Sequence, residues 1–150
     1  MVKSIGIGCD PNASGLKNLI IKHLLDSGYE VEDYGSDDPI YANTAHVVAK
    51  AVADGKHDRG VLFCGTGLGM SIAANKVPGA YAIVGSDPYS VERSIKSNNA
   101  NILTLGSLVS GEELSKKIVD LWLSFVYEPG GRSEPKIQGI YEVEKKYMKK

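Results

Sequence analysis

The sequence predicts a doubly wound, Rossmann-like α/β domain: a five-stranded parallel sheet with helices on both faces. Three observations predict it. Strand-like runs alternate five times with helical spacings, the order that a parallel sheet with crossover helices requires. The connections between them are short. The 150 residues suit a single core, and no internal repeat, low-complexity tract or long linker divides them. The whole chain, 1–150, is therefore read as one domain.

The first strand is "SIGIGCD" (4–10), an apolar run that ends in Gly8, Cys9 and Asp10. In "LKNLIIKHLLDSG" (16–28) the apolar residues fall at 16, 19, 20, 21, 24 and 25, a helical spacing that Gly28 closes. "YEVEDYG" (29–35) alternates as a strand does. "TAHVVAKAVADG" (44–55) is a second helix, with Thr44 as its cap and Gly55 as its stop. "RGVLFC" (59–64) reads as a buried strand, "LGMSIAANKV" (68–77) as a short helix and "AYAIVG" (80–85) as the next strand. "PYSVERSIKSN" (88–98) is a helix with Pro88 in its first turn, and "NILTLG" (101–106) is the fifth strand. A long amphipathic helix, "GEELSKKIVDLWLSFVY" (111–127), precedes the loop "EPGGRSEP" (128–135). The chain closes with a helix over 136–150, whose lysine-rich end is read as solvated.

Composition narrows the function classes. Net charge is −1, so no global basic field argues for nucleic acid. No apolar run approaches the ~18 residues of a membrane span, and the N-terminus lacks a signal-peptide core. Cys9 and Cys64 form no C-x-x-C pair, and a reduced, cytoplasmic protein is expected. Cys9 is read as a small buried residue. His23, His46 and His57 are scattered, form no metal-ligand set and are read as structural. No metal and no cofactor is expected.

Ligands of such sheets sit beyond the carboxyl ends of the strands. Two of those ends carry unusual chemistry, Asp10 and the loop "FCGTGLGM" (63–70). The loop is G-T-G-L-G rather than G-x-G-x-x-G and follows the third strand, so a dinucleotide site is poorly supported. It has no G-K-[ST], which removes a Walker loop. A cysteine phosphatase needs an arginine six residues after its cysteine, and position 70 is Met. What remains is a strand-to-helix turn with unpaired N–H groups and the positive end of a helix dipole. A cysteine at its mouth feels that field, which favours the thiolate. A thiolate beside N–H donors suits proton abstraction next to a carbonyl, with the donors receiving the oxyanion. The local pattern leaves a plainer reading open, a buried cysteine that ends a strand with glycines for packing.

The stretch "DRGVLFCGTGLGMSIAANKVPG" (58–79) closely resembles the ribose-5-phosphate isomerase B and galactose-6-phosphate isomerase family of sugar-phosphate isomerases. The likeness continues in "GCD" (8–10), "AHVVAKAVADGKHDRG" (45–60), "DPYS" (87–90), "NNANILTLGS" (98–107) and "YEPGGRS" (127–133), and so covers nearly the whole chain. It implies cofactor-free interconversion of an aldose phosphate and its ketose. It implies a homodimer, or a dimer of dimers, with the active site at the subunit interface and the C-terminal helix in the dimer contacts. Cys64 is then the base that shuttles a proton through an enediolate, and Thr66 hydrogen-bonds the reacting oxygens. The amides around Gly65, Gly67 and Gly69 form the anion hole. Asp10 and Tyr41 match sugar-binding positions, and Asn98 matches the asparagine of the family's His-Asn pair. Arg132 matches an arginine that reaches substrate phosphate, and Lys136 stands where the family has a second basic residue.

Four positions depart from the ribose-isomerase pattern. Pro11 replaces a histidine, Ser97 replaces the ring-opening histidine, Leu108 replaces an arginine, and Lys136 replaces another arginine. Ser97 matters most, because serine at its ordinary pKa opens a sugar ring poorly. A tetrose 4-phosphate has its ring-forming oxygen blocked by phosphate and needs no ring opening. "SNNA" followed by "GGRS" also looks like the erythrulose-phosphate isomerase branch. The expected substrate is thus a small phosphosugar, a short open-chain one such as erythrulose 4-phosphate. The competing class is a non-catalytic sugar-phosphate-binding module, or the partner subunit of a hetero-oligomeric isomerase.

Overall fold

The computed structural model describes residues 1–35 and 37–148, so Lys149 and Lys150 of the expected terminal helix lie outside the described residues. Five strands form one sheet: β1 (Ser4–Cys9), β2 (Glu30–Asp33), β3 (Arg59–Cys64), β4 (Ala82–Val84) and β5 (Ile102–Gly106). Their order is β2-β1-β3-β5-β4, and every pairing is parallel. The helices are α1 (Ser14–Asp26), α2 (Tyr41–Ala53), α3 (Leu68–Ala74), α4 (Pro88–Lys96), α5 (Glu112–Ser124) and α6 (Glu134–Tyr147).

Strand order explains which face each helix covers. Crossovers between parallel strands are right-handed. From β1 to β2 and from β4 to β5 the chain moves one way along the sheet; from β2 to β3 and β3 to β4 it moves the other way. Helices α1 and α4 accordingly share one face with α5, around Ile7, Val61, Phe63, Leu103, Leu105 and Trp122. Helices α2 and α3 share the other, around Val48, Leu62, Cys64, Met70 and Ile102. Cys9 is fully buried in the first cluster and Cys64 lies in the second, so the two thiols face opposite sides of the sheet.

Several element ends differ from the sequence reading. Helix α2 begins at Tyr41, a turn before Thr44, and Thr44 is an interior residue rather than a cap. A Cβ placed on Gly8 would come within 2.5 Å of Thr44 Cγ2, so this glycine lets α2 settle onto β1 with Thr44 inward. The Asp38 carboxylate stands before α2, accepting from Ile40 N at 2.7 Å and from Asn43 Nδ2 at 2.8 Å. Those two bonds hold the Asp38 carboxyl below its usual range, Asn43's effect being the larger. Helix α3 stops at Ala74 because the Asn75 side chain turns to β4, where it bonds both N and O of Ala82. The stretch 11–13 forms a short 3-10 turn opened by Pro11.

Arg59 ties the core to the end of α5. Only 8% of its surface is exposed. Its guanidinium donates to the carbonyls of Trp122 and Phe125 and lies 4.8 Å from the centre of the Trp122 ring. Burial pushes this guanidinium down to about 10. Arg59→Met leaves those helix-end carbonyls unmatched and is expected to cost about 2–4 kcal/mol, from hydrogen bonds to a charged donor and two desolvated acceptors. Urea unfolding measures this as a lower midpoint at unchanged slope, and a loss under about 0.5 kcal/mol would contradict the assignment.

Helix α6 packs back through Ile137, which is 1% exposed. The Glu144 carboxylate accepts from Gly79 N at 2.7 Å and from the Tyr81 hydroxyl at 2.9 Å. Burial, then that carboxylate, pushes the Tyr81 phenol well above its ordinary range.

Candidate active site

Strands β1 and β3 are neighbours, but the chain leaves their carboxyl ends for opposite faces of the sheet. That divergence opens the crevice where ligands of such folds bind. Asp10 and Cys64 stand there side by side. Cys9 is in register with Phe63, and Asp10 N donates to Phe63 O at 3.1 Å.

Cys64 is the last residue of β3 and is 5% exposed. Gly67 N donates to its Sγ at 3.1 Å, a short contact for sulfur. Of the three glycine amides expected in the anion hole, that of Gly67 is thus already directed at the cysteine. The first bond of α3 runs from Ser71 N to Gly67 O, so the amides of Leu68, Gly69 and Met70 precede it. Leu68 N donates to Thr66 Oγ1 at 3.3 Å, and the Gly69 and Met70 amides belong to the first turn of the helix, before the bond from Ser71 N. Thr66 is exposed, and its hydroxyl still has its own proton to give.

Two glycines set the shape of this loop. Gly67 has φ of +80°, in the left-handed region. Gly106, opposite Cys64 in β5, lies so close that an added Cβ would stand 2.6 Å from the Thr66 backbone. Thr104, fully buried, donates its hydroxyl to Gly67 O at 2.8 Å. Sequence reading passed over this residue, although a lone threonine inside the apolar run of β5 was its signal. Tyr41, at the start of α2, lays its ring against Gly69, where an added Cβ would be 2.7 Å from Cζ. Leu108 is 83% exposed and lies beside Gly65, giving this end an apolar wall where an arginine was the family expectation.

Asp10 is 7% exposed, and its Oδ1 is buried with no hydrogen-bond partner among the described residues. A buried carboxylate oxygen without a donor is costly, and a hydroxyl-rich ligand would supply the missing donors. Among the described residues no three His, Cys, Asp or Glu side chains gather into a set that could hold a metal ion.

The remaining expected residues lie elsewhere. Helix α4 runs back along the sheet, so Ser97 and Asn98 sit at the amino ends of the strands, close to where Asn101 O accepts from Gly60 N. Ser97 and Arg132 line one pocket of about 310 Å³. Lys136 is exposed on the first turn of α6 and is not among the residues lining it. From this pocket to Cys64 is the length of a six-residue strand, about 17 Å. Within one chain, then, Cys64, Thr66, Asp10, Tyr41 and the glycines form one group, while Arg132 lies apart from it in the pocket with Ser97, next to Asn98 in sequence, and Lys136 lies outside that pocket.

Of the three histidines, His57 is buried, with Nδ1 at 2.7 Å from Ser4 Oγ and Nε2 at 2.8 Å from the Tyr34 hydroxyl. His23 pairs with Asp120 at 2.6 Å on the surface between α1 and α5. These three bonds serve packing, and His46 is exposed on α2 beside Lys50 and Val77.

The family model described as Ribose/Galactose Isomerase matches residues 5–140. The chain belongs to the ribose/galactose isomerase family. It is 47% identical to the D-erythrulose-4-phosphate isomerase of Pectobacterium atrosepticum, over 97% of this chain and 99% of that one. It is 46% identical to the ribose-5-phosphate isomerase B of Escherichia coli, again over 97% of this chain and 99% of that one. Among solved structures, ribose-5-phosphate isomerase B of Clostridium thermocellum superposes with a TM-score of 0.91 at 46% identity, covering 96% of this chain and 99% of its own. Membership of the ribose/galactose isomerase family thus goes with the parallel sheet, and the chain is an isomerase. No helix among the described residues is long and apolar enough to cross a membrane.

Proposed function

We propose that this family isomerase interconverts an aldose phosphate and its ketose through an enediolate, with Cys64 as the base. The observation that carries this reading is the crevice between β1 and β3, where a sulfur receiving an N–H at 3.1 Å stands beside a buried carboxylate oxygen with no partner. The Cys64 thiolate takes the proton from the carbon next to the carbonyl. The electron pair moves to the carbonyl oxygen, where the Gly69 and Met70 amides and the Thr66 hydroxyl meet it. The adjacent hydroxyl gives its proton to that oxygen and becomes the new carbonyl, while the proton held on Cys64, in partial exchange with solvent, is delivered to the former carbonyl carbon, which completes the shift without a cofactor. Asp10 accepts from the sugar hydroxyls.

The separation of the two residue groups supports a homodimer. A phosphosugar is shorter than the strand that divides Cys64 from Arg132, so one substrate meets both only if a second copy brings its Arg132 to this copy's Cys64. The exposed Ile140, Val143 and Tyr147 give α6 an apolar strip suited to that contact.

The two relatives above are nearly equal in identity, so similarity does not choose the sugar. Ser97 supports one reading: a hydroxyl there is a poor ring opener, which favours an open-chain tetrose 4-phosphate. Incubating the protein in heavy water with erythrulose 4-phosphate and with ribulose 5-phosphate tests both claims. Deuterium is expected beside the carbonyl, with kcat/KM higher for the tetrose. Absence of label in every ketose phosphate would overturn the isomerisation, and a ribulose preference above about 100-fold, ~2.7 kcal/mol in the transition state, would overturn the tetrose.

A further inference from the structure

The pocket that holds Arg132 contains a second guanidinium. Arg93, Lys96, Ser97 and Arg132 line it, together with the carboxylates of Glu128 and Glu134. Glu134 is already engaged, accepting from the Tyr127 hydroxyl, Gly130 N and Gln138 Nε2. Lys96 pairs with Glu92 Oε1 at 3.2 Å and stacks its ammonium over the Phe125 ring. Arg93 shares that same Glu92 oxygen at 3.2 Å through Nη2 only, and its Nε is buried with no acceptor among the described residues. Arg93, Lys96 and Arg132 meet three carboxylates, Glu92, Glu128 and Glu134, so the pocket is balanced in charge, and what it leaves open is the buried Arg93 N–H, which calls for an acceptor.

Arg93 also stands one helical turn before Ser97, whose N donates to Arg93 O at 2.8 Å. Serine is small, so the space beside it stays open between α4 and the Arg132 loop. A dianionic phosphate seated there meets two guanidinium forks, each able to bind bidentately. We infer that Arg93 is a ligand of the substrate phosphate, acting with Arg132 and placing the phosphate beside Ser97. This rests on the phosphosugar reading above. It assigns a task to a residue that sequence reading did not single out, and it explains how phosphate is held although Pro11 and Leu108 carry no charge.

The test uses the intact protein with Arg93→Met and Arg93→Lys. Inorganic phosphate is titrated by calorimetry, and kinetics are followed with erythrulose 4-phosphate. Arg93→Met is expected to weaken phosphate binding and raise KM by about tenfold or more, with kcat changed less than about threefold; Arg93→Lys is expected to fall between. Arg93 is one-third exposed, so both variants are expected to fold, and circular dichroism checks that. Phosphate affinity within about twofold of wild type in folded Arg93→Met overturns the inference. The titration needs no turnover, so it separates the two claims. If wild type places deuterium in the ketose while Arg93→Met binds phosphate normally, Arg93 alone loses its role. If Arg93→Met loses phosphate but wild type labels no sugar, the isomerase mechanism fails and Arg93 stands as a phosphate ligand.

Discussion

Replacing Cys64 by serine lowers kcat for aldose–ketose interconversion by about 10³-fold or more, while KM moves less than about threefold. The expectation follows from what the substitution changes and what it leaves. A free thiol ionises near pH 8.5, whereas an aliphatic hydroxyl stays protonated in neutral water, so serine cannot take the proton without a base of its own. No histidine bonds Cys64 to act as that base: His57 is bonded to Ser4 and Tyr34, His23 to Asp120, and His46 is exposed on α2 beside Lys50 and Val77. The substitution leaves Asp10, Tyr41 and Arg132 in place, and in the proposed mechanism these meet parts of the substrate other than the transferred proton. Nor does the fold suffer, because the Gly67 amide that now meets sulfur can meet a hydroxyl oxygen instead. Steady-state kinetics of Cys64→Ser, with heavy-water labelling of the ketose, checks both halves. A kcat within tenfold of wild type, or equal labelling, removes Cys64 from the role of base.

The fold was legible because its signals are local. The apolar runs became strands, and Gly28, Gly55 and Gly67 all take positive φ where a turn was expected. The ends of α2 and α3 were less legible, since they depend on tertiary bonds: Asp38 to Ile40 and Asn43, and Asn75 to Ala82. The site divides in the same way. Cys64, Thr66 and Asp10 could be read as one group because the ends of parallel strands gather on one side of a sheet. That Asn98 and Arg132 gather on the other side is fixed by the return of α4 along the sheet, which no spacing announces. Arg93 hid in plain charge, for on a helix with Glu92 and Lys96 it looks solvated, and only the pocket and its buried Nε set it apart.

Gly106→Ala should disable the enzyme without replacing any of the residues proposed to meet the substrate. Position 106 is the last of β5 and pairs with Cys64, and the turn after β3 crosses directly over it. An alanine methyl there would lie 2.6 Å from the Thr66 Cα and carbonyl carbon and 2.7 Å from its oxygen. These are backbone atoms, so no rotamer change relieves the overlap. The β5 side cannot yield either, because the neighbouring strand positions are fully buried. The turn must therefore lift away from β5, breaking the Thr104 bond to Gly67 O and shifting the Gly67 amide off the Cys64 sulfur. Overpacking of this kind costs about 1–3 kcal/mol, and a displacement of about 1 Å at a catalytic group costs about 100-fold in rate. Gly139→Ala is the matching control. That glycine lies exposed within α6, with nothing within 4 Å of an added Cβ, and its replacement should stabilise the helix by up to about 1 kcal/mol. Thermal unfolding and kcat/KM of the two variants, measured together, decide the matter. If Gly106→Ala retains wild-type stability and activity, the loop is free to move, and the tight seat given to Cys64 is not what the reaction depends on.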